Sequence, residues 1–318
     1  MIQTAAILLS AGFGTRLKPL TDEIPKPAIP FLGKPMVWYA MNALQKAGIR
    51  NMAANVHHLP DKMSQVLQAC AGSLQLPEIQ IFCEKNGILG TGGGARSCMD
   101  LLPKAEHYII YHGDVLCGAD ISQILDSHFT SQADVTMVVA PRPEHSKLGM
   151  VGIDNHHQVC RIRDWYRKNM DAQTDLMPCC FTGIHVIRRS ILEKLPLNQN
   201  TCLVTEVYPQ MMAEDLSINA CLIQDFFADI GTPETYLDAQ REVLNHPQKL
   251  PGTEIYQIKS TRGITIHEPV FISPDVEIPL GVEIGPNVCL SHGAEIFPKE
   301  RLAETMRFSH YKLSMRSI

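Results

Sequence analysis

Short uninterrupted apolar runs at residues 5–9, 79–82, 108–111 and 135–139 alternate with longer stretches in which apolar residues recur every three or four positions. The short runs have the length of strands buried on both faces, and the wider spacing is that of helices packed on one side. The alternation predicts an α/β body with a mostly parallel central sheet covered by helices. The helix after Gly33 is the clearest: Pro35 suits a first turn, Val37, Met41 and Leu44 share one face, and Gly48 follows as a C-cap. Asp120 stands before Ile121, Ile124 and Leu125 as the N-cap of another helix. A strand over 180–187 and helices over 205–213 and 233–244 extend the body, which spans 1–245.

Residues 246–262 contain Pro247, Pro251 and Gly252 with little periodicity and read as a linker. The period then changes. From Ile264 the chain divides into the hexads ITIHEP, VFISPD, VEIPLG, VEIGPN, VCLSHG and AEIFPK. Their first positions are Ile264, Val270, Val276, Val282, Val288 and Ala294, and their third positions Ile266, Ile272, Ile278, Ile284, Leu290 and Ile296. Two apolar columns in step, punctuated by proline, glycine and asparagine, exclude a helix. The pattern resembles the hexapeptide repeat of left-handed parallel β-helices, in which three hexads make one triangular coil, and predicts about two coils over 263–299. So short a stack has open ends, which favours packing on the main body or on a second copy in a homo-oligomer. The tail, 300–318, is mixed in charge and reads as a short helix.

Of the 318 residues 45% are hydrophobic and 19% charged, a balance that excludes disorder. No run approaches the roughly 20 apolar residues of a membrane span. A formal charge of −5 without a Lys/Arg cluster argues against a nucleic-acid or anionic-membrane surface. Ten cysteines occur without a CxxC pair, and the N-terminus runs straight into a strand without a basic leader, the usage of reduced thiols in the cytoplasm. Adjacent Cys179 and Cys180 read as small buried strand residues rather than as a redox pair.

The first strand-to-helix connection reads LLSAGFGTRLKPLTDEIPKP. Gly12 and Gly14 follow a strand, where missing side chains let backbone N–H groups approach a phosphate, and Arg16 and Lys26 add positive charge. Glycines alone fit a dinucleotide turn or a plain tight turn equally well. Here the third glycine of GxGxxG and the GK[ST] of a Walker loop are both missing, and an arginine and PKP stand instead. From Leu8 to Pro27 the segment resembles, almost without gaps, the opening motif of the sugar-1-phosphate nucleotidylyltransferases. The resemblance implies a Rossmann-like nucleotidyltransferase domain that turns a nucleoside triphosphate and a sugar 1-phosphate into a nucleotide sugar and pyrophosphate. It also implies that Arg16 and Lys26 are catalytic groups gripping the phosphates, and that Leu9, Ala11, Gly12, Gly14 and Thr15 line the nucleotide.

Later segments follow in the family's order. HGDV, at 112–115, comes after the apolar strand and places Asp114 at a strand's carboxyl end, where open α/β sheets bind ligands. FADIGTPETYLDA carries Asp229. Read singly, Asp114 is a helix N-cap and Asp229 a turn residue ahead of Gly231 and Pro233. By the resemblance Asp114 is catalytic and both acids hold Mg2+, a hard cation that takes oxygen ligands together with phosphate and water. EKNGILGTGGGAR resembles the family's base-reading loop, so Glu84 and Gly90 are carried over as nucleobase contacts. An ionised carboxylate only accepts hydrogen bonds; guanine offers two donors, at N1 and N2, while uracil and thymine offer one between acceptors, so Glu84 favours GTP. Asn55, just before VHHLPDKM, is placed at the nucleotide or sugar. His57 and His58 are neighbours that diverge in a strand, which argues against a shared metal. CFTGIHVI, at 180–187, resembles the sugar-side strand, in which Gly183 lets the pyranose approach the backbone.

Two departures bear on the sugar. RIRDWYRKN, at 161–169, stands where many members have an EKP lysine; Arg163 is the substitute contact for the sugar phosphate, or else part of a charged edge strand. His112 occupies a position where asparagine is common. The expected activity is guanylyl transfer to a mannose 1-phosphate-like acceptor, the mannose following only from its association with guanine. The alternatives are a uridylyltransferase acting on another sugar 1-phosphate and a noncatalytic nucleotide-sugar-binding regulator. An acyltransferase built on the hexads would need more coils and a groove histidine, and His267 and His292 read as turn residues.

Overall fold

The computed structural model describes residues 2–141, 150–255 and 260–314. Strand β1 (Ile2–Leu9) alternates between two cores, Ala6 and Leu8 facing one and Ala5 and Ile7 the other, the period of a strand covered on both sides. The glycine turn then leads through α1 (Leu20–Glu23) and a small hairpin, β2 (Pro30–Phe31) and β3 (Lys34–Pro35), into α2 (Met36–Lys46). Next come β4 (Met52–Val56), α3 (Pro60–Ser73), β5 (Gln80–Cys83), α4 (Gly90–Met99) and β6 (Ala105–His112). They are followed by β7 (Val115–Cys117), α5 (Ile121–Ser131), β8 (Val135–Pro141), β9 (Met150–Ile153), β10 (Val159–Ile162), β11 (Trp165–Tyr166) and the long β12 (Met177–Arg188). The body closes with α6 (Arg189–Glu193), a π-helical turn at Leu203–Val207 that runs into α7 (Tyr208–Ala213), β13 (Ile218–Leu222), β14 (Phe227–Asp229) and α8 (Pro233–Asn245).

Strands β5, β4, β1 and β6 are parallel neighbours in that spatial order. Antiparallel β12 follows β6, and a second parallel pair, β8 and β13, lies beyond it. The first half of β12 also pairs with β9, from which β10 and β11 continue as an antiparallel flap. Between Phe181 and His185 the register of β12 against β8 shifts at Gly183, whose φ of +84° is left-handed backbone that glycine adopts freely. Buried residues of α2, α3, α5 and α8 cover one face of the sheet, and those of α4, α6 and α7 the other. The Asp120 carboxylate accepts from the Ser122 N–H at the start of α5, the cap its position predicts. Both Cys179 and Cys180 are buried on β12, and none of the ten cysteines is in a disulfide.

Segment 246–255 is pinned rather than loose: Gly252, at φ +100°, backs onto Trp38, and Asn42 Nδ2 donates to the Pro251 carbonyl. Part of the expected linker, 256–259, lies outside the described residues. Beyond it stand β15 (Ile264–Ile266), β16 (Val270–Ile272), β17 (Val282–Ile284), β18 (Val288–Leu290), β19 (Arg301–Leu302), β20 (Thr305–Phe308) and β21 (Tyr311–Ser314). Ile264 lies opposite Val282 and Val270 opposite Val288, in parallel and three hexads on in each case. Val270, Val282, Ile284, Val288, Leu290 and Ala294, all from the two predicted columns, form a core of their own. Stacking continues past residue 299, since β19 adds to β17 and β20 to β18.

The tail is not a helix. Thr305 extends the parallel stack beside Val288, and β21 folds back antiparallel on β20, with Phe308 opposite Tyr311, so the ladder supplies the backbone partners a helix would have supplied. Residues 315–318 of the expected tail lie outside the described residues. Phe271, Cys289, Met306 and Phe308 join the core of the α/β body, and Arg241 of α8 pairs with Glu304 at 2.9 Å. The stack therefore leans on α2 and α8 instead of standing free.

Candidate active site

Four side chains from distant parts of the sequence meet above the carboxyl ends of β1, β6 and β14. The turn after β1 puts Gly14 at φ +64°, and a Cβ there would lie 2.9 Å from Thr21 Cγ2 and 3.0 Å from Lys26 Cβ, so the glycine lets the turn close on the lysine. At Gly12 a Cβ would meet nothing within 4 Å, which leaves the backbone open to a ligand. Lys26 is buried among the carboxylates: its ammonium hydrogen-bonds Asp114, from the turn after β6, and stands 3.7 Å from Asp229, the last residue of β14. β7 and β14 pair antiparallel with Asp229 opposite Val115, and this register brings the two acids together. Burial alone would push the Asp114 carboxyl up, but the Lys26 charge and hydrogen bond, aided by His112, more than offset it and hold the group below the ordinary aspartate value. Arg16 lies against Gly231, where a Cβ would come within 2.8 Å of the guanidinium.

Two cavities open on this cluster. The smaller, about 180 Å3, is lined by Leu9, Gly12, Gly14 and Thr15 of the turn. The larger, about 330 Å3, is lined by Arg163, Thr182, Gly183, Phe227 and Asp229, within the volume of small-molecule sites. Arg16, Lys26 and Asp114 border both, so they form the junction between them. Asp114 and Asp229 offer oxygen donors toward one cationic position, the donor type a hard divalent cation takes. No group of three or more His, Cys, Asp or Glu forms a complete ligand set among the described residues, so phosphate and water oxygens would supply the remaining ligands of such an ion.

Other expected residues sit differently. Glu84 is 2% exposed, and both its oxygens are engaged, Oε1 by Asn55 Nδ2 at 2.7 Å and Oε2 by the Leu89 N–H at 2.9 Å. Asn55 is equally buried and uses its Oδ1 to accept from the Ser10 N–H. The pair ties the glycine turn to the 84–90 loop, each Glu84 oxygen already accepting one hydrogen bond from the protein. At Gly90 a Cβ would lie 2.6 Å from the Thr201 carbonyl, so the glycine lets this loop pack against residues 200–201. Gly183 does border the larger cavity, but the space beside its Cα belongs to His112, whose Nδ1 would lie 3.0 Å from a Cβ. Burial lowers the His112 pKa, against the opposing pull of Asp114 and Asp229. Arg163 reaches the larger cavity from the tight turn between β10 and β11, at φ +52°. Arg167 does not: it is buried, donating to Asp215 and to the Leu216 carbonyl.

The sequence also hid part of the wall. Thr91, Cys202 and Thr205 line the larger cavity, and the Thr91 hydroxyl accepts from the Leu203 N–H. Residues 202–205 carry no motif, and only their proximity to the glycine-rich α4 in space marks them. The Cys202 thiol is held below its ordinary pKa: burial acts to raise it, and hydrogen bonds from Thr205, Thr91 and the Val204 backbone outweigh that.

Residues 5–246 match the nucleotidyl transferase family. The chain belongs to the sugar-1-phosphate nucleotidylyltransferases. As a member of this family it is an enzyme of nucleotide-sugar synthesis, acting on a nucleoside triphosphate and a sugar phosphate. It is 28% identical over 303 residues to "Mannose-1-phosphate guanylyltransferase" of Mycobacterium tuberculosis, covering 94% of this chain and 78% of that protein. It is 27% identical over 301 residues to "Mannose-1-phosphate guanylyltransferase 1" of Arabidopsis thaliana, covering 94% and 79%. "Mannose-1-phosphate guanylyltransferase catalytic subunit beta" of Drosophila pseudoobscura pseudoobscura is 29% identical over 269 residues, covering 84% and 69%. Among solved structures, HddC from Yersinia pseudotuberculosis superposes with a TM-score of 0.61 at 22% identity, covering 75% of this chain and 98% of that one, a likeness of fold. No helix among the described residues is long and apolar enough to cross a membrane.

Proposed function

We propose that the enzyme transfers a guanylyl group from GTP to a mannose 1-phosphate-like sugar, with Mg2+ held by Asp114 and Asp229. One observation carries the reading: Arg16, Lys26 and Asp114 stand at the junction of two cavities, one built on the glycine turn and the other on Arg163 and Gly183. In-line displacement at phosphorus needs the attacking and leaving oxygens on opposite sides of the transferred group. A sugar phosphate in the larger cavity and a pyrophosphate on the turn meet that requirement. The attacking phosphate oxygen is already anionic at neutral pH, so the residues need only orient it and stabilise charge. Arg16 and Lys26 neutralise charge gathering on the leaving pyrophosphate, and Arg163 holds the sugar phosphate in place of the missing lysine. Bound Mg2+ would supply further charge neutralisation between phosphate oxygens.

With Glu84 engaged by protein donors, the guanine preference rests on the names of the relatives and on backbone groups of the 84–90 loop. The C-terminal stack we read as a left-handed β-helix, supported by its parallel strands at three-hexad intervals, and the protein as a cytoplasmic homo-oligomer. Ten cysteines, none in a disulfide, support the compartment, and exposed Leu280 and Phe297 on the stack support self-association. A two-way panel of nucleoside triphosphates against sugar 1-phosphates, followed by pyrophosphate release, tests the function. The expected result is release with GTP and mannose 1-phosphate, abolished by chelator and restored by Mg2+. Nucleotide binding without release from any pair would move the protein to the regulator class.

A further inference from the structure

With Glu84 and Asn55 engaged by the protein itself, the strand order brings other residues to the gap between the glycine turn and the 84–90 loop. Because β4 lies between β1 and β5, the residues leaving β4 emerge between the glycine turn and the 84–90 loop. His57 is the first of them, and its Nδ1 stands 2.7 Å from the Glu84 carbonyl oxygen. Phe13, between Gly12 and Gly14, meets the His57 ring edge-to-face at 5.3 Å and the His58 ring at 5.7 Å. His58 is itself fixed, its Nε2 2.6 Å from the Thr21 carbonyl oxygen. Phe13 thus spans from the phosphate turn to the base loop, braced by two anchored rings. It is nevertheless 47% exposed and belongs to none of the hydrophobic cores. A ring braced by anchored neighbours and about half open to solvent has surface to offer a planar ligand.

We propose that Phe13 is the stacking platform for the nucleobase, with His57 bracing its ring. This rests on the reading of the glycine turn as a nucleoside triphosphate site. Every base has a π face, so the stack supplies affinity, and discrimination between bases falls to backbone groups of the neighbouring loop. The test is calorimetric titration of the full-length protein with GTP, UTP and inorganic tripolyphosphate, in wild type, Phe13→Ala, Phe13→Leu and Phe13→Trp. Phe13→Ala is expected to weaken the better-bound nucleotide about tenfold or more, the loss of one base–aromatic stack. Phe13→Leu should behave like the alanine variant and Phe13→Trp like wild type, while tripolyphosphate, which has no base, binds all four alike. Unchanged nucleotide affinity in Phe13→Ala, or an equal loss for tripolyphosphate, overturns the proposal. A wild-type protein that binds nucleotide through Phe13 yet releases no pyrophosphate in the substrate panel would lose the transferase reading and keep this one.

Discussion

Lys26 is held between two carboxylates before a substrate arrives, and Arg16, exposed at the cavity junction, lies against Gly231. Fixed charges aimed at a leaving group act mainly in the transition state. Arg16→Ala and Lys26→Ala are therefore expected to lower kcat by about 10²-fold or more in pyrophosphate-release assays, and unchanged turnover would remove those roles. Two of the three arginines of 161–169 should separate cleanly. Arg163→Ala is expected to raise KM for the sugar 1-phosphate with little change in melting temperature, whereas Arg167→Ala, which unpairs a buried network, should lower the melting temperature and leave KM alone. The opening motif and the two aspartates were read from their resemblance to the family's segments, and the strand order brings them together at the carboxyl ends of β1, β6 and β14. The engagement of Glu84 with Asn55 was not legible, because nothing in a linear motif reveals that two polar groups hydrogen-bond each other. Their mutual hydrogen bond at 2.7 Å appears only once β4 and β5 are paired.

At the scale of elements, α4 is packed through its glycines. A Cβ at Gly93 would run into the Gln199 carbonyl, and at Gly92 it would lie 3.0 Å from the Thr201 carbonyl. Gly93→Ala is expected to destabilise by about 1–3 kcal/mol, the range for overpacking, as read by urea unfolding. On the far side of the sheet, His128 Nδ1 meets Thr136 Oγ1 and its Nε2 meets His107 Nδ1, each at 2.8 Å. Burial, with help from His107 and Arg188, pushes His128 down to about 4. As pH falls the unfolded chain takes up this proton first, near the ordinary value of about 6.5. Stability from this group is therefore complete above about 6.5, declines as pH drops toward 4, and levels off below, a loss on the order of 3 kcal/mol. His128→Gln should flatten that part of the curve of unfolding free energy against pH, and an unaltered slope would assign the acid sensitivity elsewhere. The helices were legible from apolar spacing and caps, as at Asp120. The π-helical start at Leu203 was not, since its sequence spacing is that of an ordinary helix.

For the whole molecule, the C-terminal stack is bound into the α/β body. The Phe271 ring fills the space at Gly33, where a Cβ would lie 2.5 Å from its Cζ. Phe271→Ala is expected to cost about 3 kcal/mol by the cavity it leaves, and to lower the melting temperature while KM for both substrates stays put. The hexad columns made the stack legible, because an apolar period of six over six repeats has no helical reading. The hairpin at its end was not, because Phe308 and Tyr311 find their partners across a turn and in another part of the fold. Three hydrogen bonds join residues 88–92 more tightly to the segment that walls the larger cavity: the Gly92 N–H donates to the Thr201 carbonyl, the Thr201 N–H to the Leu89 carbonyl, and Asn200 Nδ2 to the Ile88 carbonyl. Swapping only the 84–90 loop for that of a relative with another base preference would leave half of this seam behind. Segment 199–203 has to travel with it, and because that segment runs into the wall of the larger cavity, grafting the loop reshapes that cavity as well.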